Sequence, residues 1–341
     1  MLSEVIPIFF GILSIHLSLM FSQIHVVLAS EKNLDNRMKV IIDTDAGGDD
    51  AVALMLALTV KEIEVLAITC TYGNTHIDNV EINVLKTLTI ANRSDVPVYS
   101  GARKPLMSEY IKSIYFGEDG FGDFHFDKNL ISSVNTSSHA ANAMIDLVQK
   151  YPGEVHILTL GPLTNVALAA SLNSNFTKLV KRFYIMGLTM ANENGEEVPE
   201  NEYNFGLDPG SVAIFLNYTT QYPSLIIPSD AVARTNISRD WRIEKLGKLN
   251  SESIEFLNKV ENVTLTQYSY WHPADSIAFA AMIWPDQVLS TIKGHMVAII
   301  QGPLNATFSL DNQTHKDQYN VEIMRNFNVS AYQDKLISHL S

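Results

Sequence analysis

VIIDTDAGGDDAVALMLAL, from Val40 to Leu58, sets a dense patch of negative charge against a segment with none. Asp43, Asp45, Asp49 and Asp50 fall within eight residues, and every residue from Ala51 to Leu58 is apolar. Lys39 to Asp43 read as a short β run. Gly47 and Gly48 permit a tight turn, and Asp49 and Asp50 open a segment of good helix formers. Asp43 and Asp45 share one face if the strand continues that far. A single aspartate at a helix start is explained by capping and the macrodipole; four are not. Two carboxylates ~4 Å apart repel by about 4 kcal/mol at an effective dielectric near 20. Protons or a divalent cation must relieve that. All-oxygen ligation suits Ca²⁺ or Mg²⁺ and not Zn²⁺, so the cluster is a metal site.

Outward from this stretch, strand-like and helix-like segments alternate. VLAITCTYG (Val65–Gly73) is a strand and NVEINVLKTLTIAN (Asn79–Asn92) has helical spacing. VPVYSG is a strand followed by a glycine, EVHILTLGPLTNVALAAS repeats the strand, turn, helix order, and RFYIMG does so through a long polar loop into DPGSVAIFLN. The alternation predicts an α/β fold, a single domain with a mostly parallel, Rossmann-like sheet covered by helices on both faces. No repeat or composition shift marks a second domain. Ser108–Ser138 and Ala191–Tyr203 are long, polar and glycine-containing, as functional loops are.

The chain has 341 residues, a net charge of −13 and a pI near 5.2, which argues against a nucleic-acid polymer or an anionic membrane surface as partner. Residues 1–30 read as a secretory signal peptide: Val5 to Phe21 is strongly apolar, and small residues end the VVLAS stretch (Val26–Ser30). Glu4 and the lack of an early basic residue fit less well, and an uncleaved anchor is the rival reading. Nine Asn-x-Ser/Thr triplets, at Asn92, Asn135, Asn175, Asn217, Asn236, Asn262, Asn305, Asn312 and Asn328, exceed the roughly three or four expected by chance. Together these predict a secreted, N-glycosylated protein with no stable membrane association after cleavage. Cys70 is the only cysteine, so no intrachain disulfide forms, and its apolar setting reads as core.

DTDAGGDDAVAL also resembles the signature of the nucleoside hydrolases, the inosine-uridine-preferring group, with Ala46 in place of a proline. The resemblance covers most of residues 38–335. AITCTYGN, YFGEDGFGD, LTLGPLTNVALA, ENEYNFGLDPGSVAIF and ADSIAFAAMIWP are each similar to a further segment of that family. It implies a Ca²⁺ held by Asp45, Asp50, Asp275 and the main-chain carbonyl of Leu160. Water held by the cation attacks the ribose anomeric carbon, with Asp49 as general base and Asp43 as a hydrogen-bonding support. Asn74, Glu202 and Asn204 bind ribose hydroxyls, and Asn192 or Asn194 fills a further asparagine position.

Two positions depart from the family pattern. Phe116 stands where a histidine is common, and Ala274 stands where histidine or tryptophan precedes the last aspartate. Both lie around the nucleobase. His272, Trp271, Phe116, Phe121 and His125 are near enough in sequence to substitute. The expectation is a ribonucleoside hydrolase releasing free base and ribose, with purines preferred because a histidine-poor, aromatic pocket favours a large stacking base. A homo-oligomer is left open. The rivals are an aspartate-nucleophile phosphatase, which leaves the Glu202 and Asn204 block unexplained, and a non-catalytic nucleoside-binding protein.

Overall fold

The structure, a computed structural model, describes residues 37–190, 202–300, 306–313 and 315–341. The expected signal segment and Asn192, Asn194 and Asn305 lie outside the described residues. The chain opens with β1 (Met38–Thr44), β2 (Ile63–Cys70), β3 (Val98–Tyr99) and β4 (Val134–Asn135). It continues with β5 (Val155–Thr159), β6 (Arg182–Met186), β7 (Ser224–Ile227), β8 (Val288–Ile300), β9 (Ala306–Asp311) and β10 (Val321–Phe327). They form one sheet in the order β4-β3-β2-β1-β5-β6-β7-β10-β8-β9. Every pairing from β4 to β10 is parallel, and β8 and β9 add an antiparallel edge. The mostly parallel single-domain fold is as the alternation indicated. The antiparallel edge carries no β-α alternation and was not anticipated.

Side chains of β1 alternate between two cores. Val40 and Ile42 pack with the helices Gly48–Thr59, Ile77–Ile90 and Ala274–Ile283, while Ile41 packs with Ala140–Lys150 and Thr164–Leu172 on the other face. The helix Gly48–Thr59 is buried on all sides between four others, at Ile77–Ile90, Glu252–Val260, Ala274–Ile283 and Val329–Leu340. That explains its uninterrupted apolar run, since a helix without a wet face needs no polar stripe. Cys70 is fully buried, as its neighbours suggested, and burial raises its thiol well above the usual range.

The strand ends at Thr44, so Asp43 and Asp45 do not share a face. Asp43 points into the second layer, where its Oδ1 accepts from Thr69 Oγ1 at 2.7 Å and Asn165 Nδ2 at 2.8 Å. Beyond the strand, Ala46 holds φ at +31° and its N–H bonds Thr44 Oγ1 at 3.1 Å. Proline can neither reach that φ nor donate that bond, so the departure from the family pattern matters to the backbone. Ala46→Pro should cost about 3 kcal/mol or more, whereas Ala46→Gly should leave stability equal or higher. Denaturant melts of both variants decide this, and a wild-type midpoint for the proline variant would show that the turn is not needed.

Candidate active site and metal centre

The sheet changes direction beside β1: β2, β3 and β4 lie on one side, and β5, β6 and β7 on the other. Such a switch leaves a crevice at the strand C-termini. Two buried helices point their N-termini into it. Gly48–Thr59 carries Asp49 and Asp50 in its first turn, Ala274–Ile283 carries Asp275 in its own, and the two helices pack together. Their dipoles favour negative charge at that point.

Oxygens of Asp49, Asp50 and Asp275 lie within 4.8 Å of one another. Asp50 is the most tightly held. Its Oδ1 accepts from Thr44 Oγ1 at 2.5 Å, and its Oδ2 from Gly47 N at 2.8 Å and Asn74 Nδ2 at 3.2 Å. Asp45 stands beside this trio rather than in it. Its Oδ2 accepts from Asn74 N at 2.7 Å, while its buried Oδ1 has no hydrogen-bond partner. Glycines make room for it: a Cβ on Gly73 would fall 2.0 Å from Asp45 Oδ2, and one on Gly161 3.0 Å from Oδ1. Burial, and then repulsion from neighbouring carboxylates, pushes Asp45, Asp49 and Asp275 well above the usual range; burial alone raises Asp50. A carboxylate cluster with an orphaned buried oxygen fits a hard divalent cation. Asp49, expected as the base, lies among the potential ligands, so a charge placed there is within reach of its carboxylate.

The remaining expected residues converge on a cavity of about 270 Å³, lined by Asp49, Asn74, Phe116, Leu160, Glu202, Asn204, His272 and Asp275 among others. This is near the lower end of the ~300–1,000 Å³ typical of small-molecule sites. The Leu160 carbonyl accepts from Asn204 Nδ2 at 2.6 Å and keeps a second lone pair. Glu202 is the N-cap of a short helix, Tyr203–Leu207: Oε1 accepts from Asn204 N, and Oε2 from Phe205 N and Leu188 N. Burial raises its carboxyl to about 7 against those bonds. Leu188 presents its N–H from a left-handed φ of +77°, a strained setting for a non-glycine residue.

Phe116 packs directly on the turn, because a Cβ on Gly48 would come within 2.6 Å of its ring and one on Gly47 within 2.8 Å. Tyr115 stands edge-on to Phe116 at 4.7 Å and faces Tyr268 at 4.9 Å. Ala274 lines the cavity too, and the sequence did not single out Tyr115, Ser113, Met186, Tyr203 or Ser229, which complete the lining. Tyr115 and Tyr203 lie inside quoted motifs and Met186 ends the quoted strand RFYIMG, so these were within reach; Ser229 carries no signal. Tyr110 and Tyr203 each donate to Gly73 O at 2.8 Å, which ties two loops to the Asp45 turn. Two proposed base contacts fall away. Phe121 is core against Phe256 at 5.7 Å, and His125 lines a separate shallow hollow with Asn79 and Glu118.

With this geometry in place, the relatives are informative. Residues 40–334 match the family described as inosine-uridine preferring nucleoside hydrolase. Uridine nucleosidase 1 of Arabidopsis thaliana is 31% identical over 278 residues, 78% of this chain and 79% of that protein. Among solved structures, a plant nucleoside hydrolase superposes with a TM-score of 0.77 at 27% identity, covering 89% of this chain and 98% of its own. An inosine-guanosine nucleoside hydrolase does so at 0.79 and 25% identity, with the same coverage. The chain belongs to the inosine-uridine preferring nucleoside hydrolase family. It is therefore an N-glycosyl hydrolase acting on ribonucleosides, and the phosphatase reading is set aside.

Without a cation, the cluster has a measurable signature. Asp43 is raised to about 7 by burial, as is Glu202, and the cluster carboxyls are raised too. Ordinary carboxylates titrate near ~4, so between these values the folded state holds protons that the unfolded chain has lost. Stability then falls as pH rises. Chelator-treated protein should melt at a higher temperature at pH 5 than at pH 7.5, and Ca²⁺ should raise the pH 7.5 value more. Flat melting temperatures, unmoved by Ca²⁺, would count against a cation site.

Proposed function

We propose that the protein is a secreted, Ca²⁺-dependent nucleoside hydrolase that prefers purine ribonucleosides. The observation that carries the cation is the buried, unpartnered Asp45 oxygen beside three clustered carboxylates. The donor set is all oxygen, which suits Ca²⁺. When bound, the cation supplies charge that holds a water molecule and eases loss of its proton.

Asp49 lies half-buried on the cavity wall and takes that proton. Asn74, Glu202 and Asn204 hold the ribose hydroxyls, Asp45, Asp50 and Asp275 with the Leu160 carbonyl hold the cation, and Asp43 steadies the strand behind them. Water oxygen bonds to C1′, the C1′–N bond breaks, and its electron pair leaves with the base. Carboxylates facing the sugar stabilise its oxocarbenium character. Asp49→Asn should keep the cation and the fold while losing roughly 10²- to 10⁴-fold in turnover. Near-normal turnover in this variant would place the base elsewhere.

The purine reading rests on the aromatic wall of Tyr115, Phe116 and Tyr203, since a larger ring system offers more to stack on. Chromatography of free base released from a panel of ribonucleosides tests activity and preference together; uridine cleaved as fast as inosine would remove the preference. Secretion and glycosylation rest on the apolar leader and the sequons. Among the described sequons, Asn92, Asn175, Asn217, Asn236, Asn262 and Asn312 are exposed. Asn328 instead caps the last helix, its Oδ1 accepting from Ala331 N at 3.2 Å. Intact mass before and after glycan removal tests both, and a chain still carrying residues 1–25 would be anchored instead.

A further inference from the structure

His272 stands where three spaces meet. It lines the cavity that holds the acid cluster, an adjoining space of about 450 Å³, and a small void shared with Asp49 and Glu261. Asn74, Glu202 and Asn204 do not reach the adjoining space, so His272 lies toward the end of the cavity away from the proposed ribose contacts. The residue before it is clamped from four directions. Trp271 Nε1 donates to Glu261 Oε1 at 2.5 Å, and its backbone N–H donates to Ile237 O at 3.0 Å. Its ring stacks on Trp241 at 6.1 Å, and the Arg242 guanidinium lies 5.7 Å from the ring centroid.

Behind the indole, Glu261 and Arg242 form an ion pair with N–O 2.6 Å and side chains 2% and 0% exposed. Arg242 Nη1 also donates to Asn258 Oδ1 at 2.8 Å. Burying such a pair costs desolvation that its mutual attraction seldom exceeds, so the pair is a weak source of stability. What it does achieve is a fixed acceptor for one indole at the wall of the site.

We propose, resting on the nucleoside hydrolase reading above, that the Glu261–Arg242 pair and Trp271 are positioning residues that set His272 to hydrogen-bond the departing base. Burial lowers the tendency of His272 to take up a proton, and a neutral imidazole has one N–H to donate. As the C1′–N bond breaks, that donor meets the electron pair gathering on the base. The proton of the attacking water goes to Asp49, and the base takes its own from solvent. This supplies leaving-group stabilisation that Phe116 and Ala274 cannot, from a position outside the family pattern.

The test compares inosine with p-nitrophenyl riboside, whose phenolate leaves without a hydrogen-bond donor. Trp271→Phe keeps the ring and removes the N–H. It should lower kcat on inosine roughly 10²-fold more than on p-nitrophenyl riboside, the lower end of the scale for one lost transition-state hydrogen bond. His272→Ala should give the same split, and the double variant should be no worse than His272→Ala, because both act through one group. Equal losses on the two substrates, no loss on either, or additive losses would overturn the proposal. If Trp271→Phe does not fold, Trp241→Leu loosens the stack while leaving the indole bond to Glu261, and must show a smaller split in the same direction. Wild-type protein that releases neither base nor nitrophenolate would instead refute the hydrolase reading, and the proposal with it.

Discussion

Negative charge gathered where little water reaches it is the constraint on which the rest of the structure depends. Asp45, Asp50 and Asp275 are buried, Asp49 lies on the cavity wall, and burial makes each resist ionisation, with carboxylate neighbours adding to it at Asp45, Asp49 and Asp275. The fold brings three kinds of compensation to them. Helix N-termini point at them from Gly48–Thr59 and Ala274–Ile283. Thr44, Gly47 and Asn74 donate hydrogen bonds. Glycines at 73 and 161 let the backbone close around Asp45. None of these supplies a full positive charge, so the remaining repulsion is relieved by protons or by a cation. Both outcomes follow from one arrangement, and pH chooses between them.

The all-apolar helix is the structural counterpart of this arrangement. Aiming a helix N-terminus at a buried cluster requires the helix to run through the interior, and an interior helix has no wet face to spare. The charge-dense turn and the charge-free run of residues 43–58 are therefore two consequences of one placement. The helix bearing Asp275 repeats the pattern, with Ala274 to Met282 all buried.

This also explains how far the sequence could be read. Elements with a single environment were legible: β1, β2, β3, β5 and β6, the helices at Gly48–Thr59, Ile77–Ile90 and Thr164–Leu172, the acidic turn and the core position of Cys70, while β4, β7 and β10 drew no reading. Legibility failed where position depends on packing between distant segments. The Asp43 side chain turns away from Asp45 because β1 stops one residue after Asp43, a boundary that no local preference marks. Glu202 lines the cavity as its motif suggested, but its second role as a helix cap, with three backbone N–H groups on its carboxylate, left no mark in the sequence reading. Phe121 and His125 share a loop with Phe116, but one turns into the core and the other to a surface hollow. The Glu261–Arg242 pair spans nineteen positions, and no spacing rule connects it to Trp271.

The two ends of the site are consequently built by different means. The end proposed to face the sugar draws on strand ends and helix starts: Asp45 and Asn74 after β1 and β2, Leu160 after β5, and Asp275 opening a buried helix. Their positions follow from the sheet, and solved relatives with TM-scores of 0.77 and 0.79 share that sheet. The end proposed to face the base draws on Tyr115 from a long loop, Ser229 from the start of a short helix and His272 from an irregular strap. Loops and straps can differ between proteins without disturbing the sheet. The names of this chain's relatives run from uridine to inosine and guanosine, a spread that a shared sheet permits. A strap carrying a base contact must nevertheless hold its side chain to within a fraction of an ångström, and it lacks the hydrogen-bond ladder that gives a strand such rigidity. A buried ion pair gripping an indole is one way to give irregular backbone the fixity of a sheet, with the desolvation of two charges as its cost.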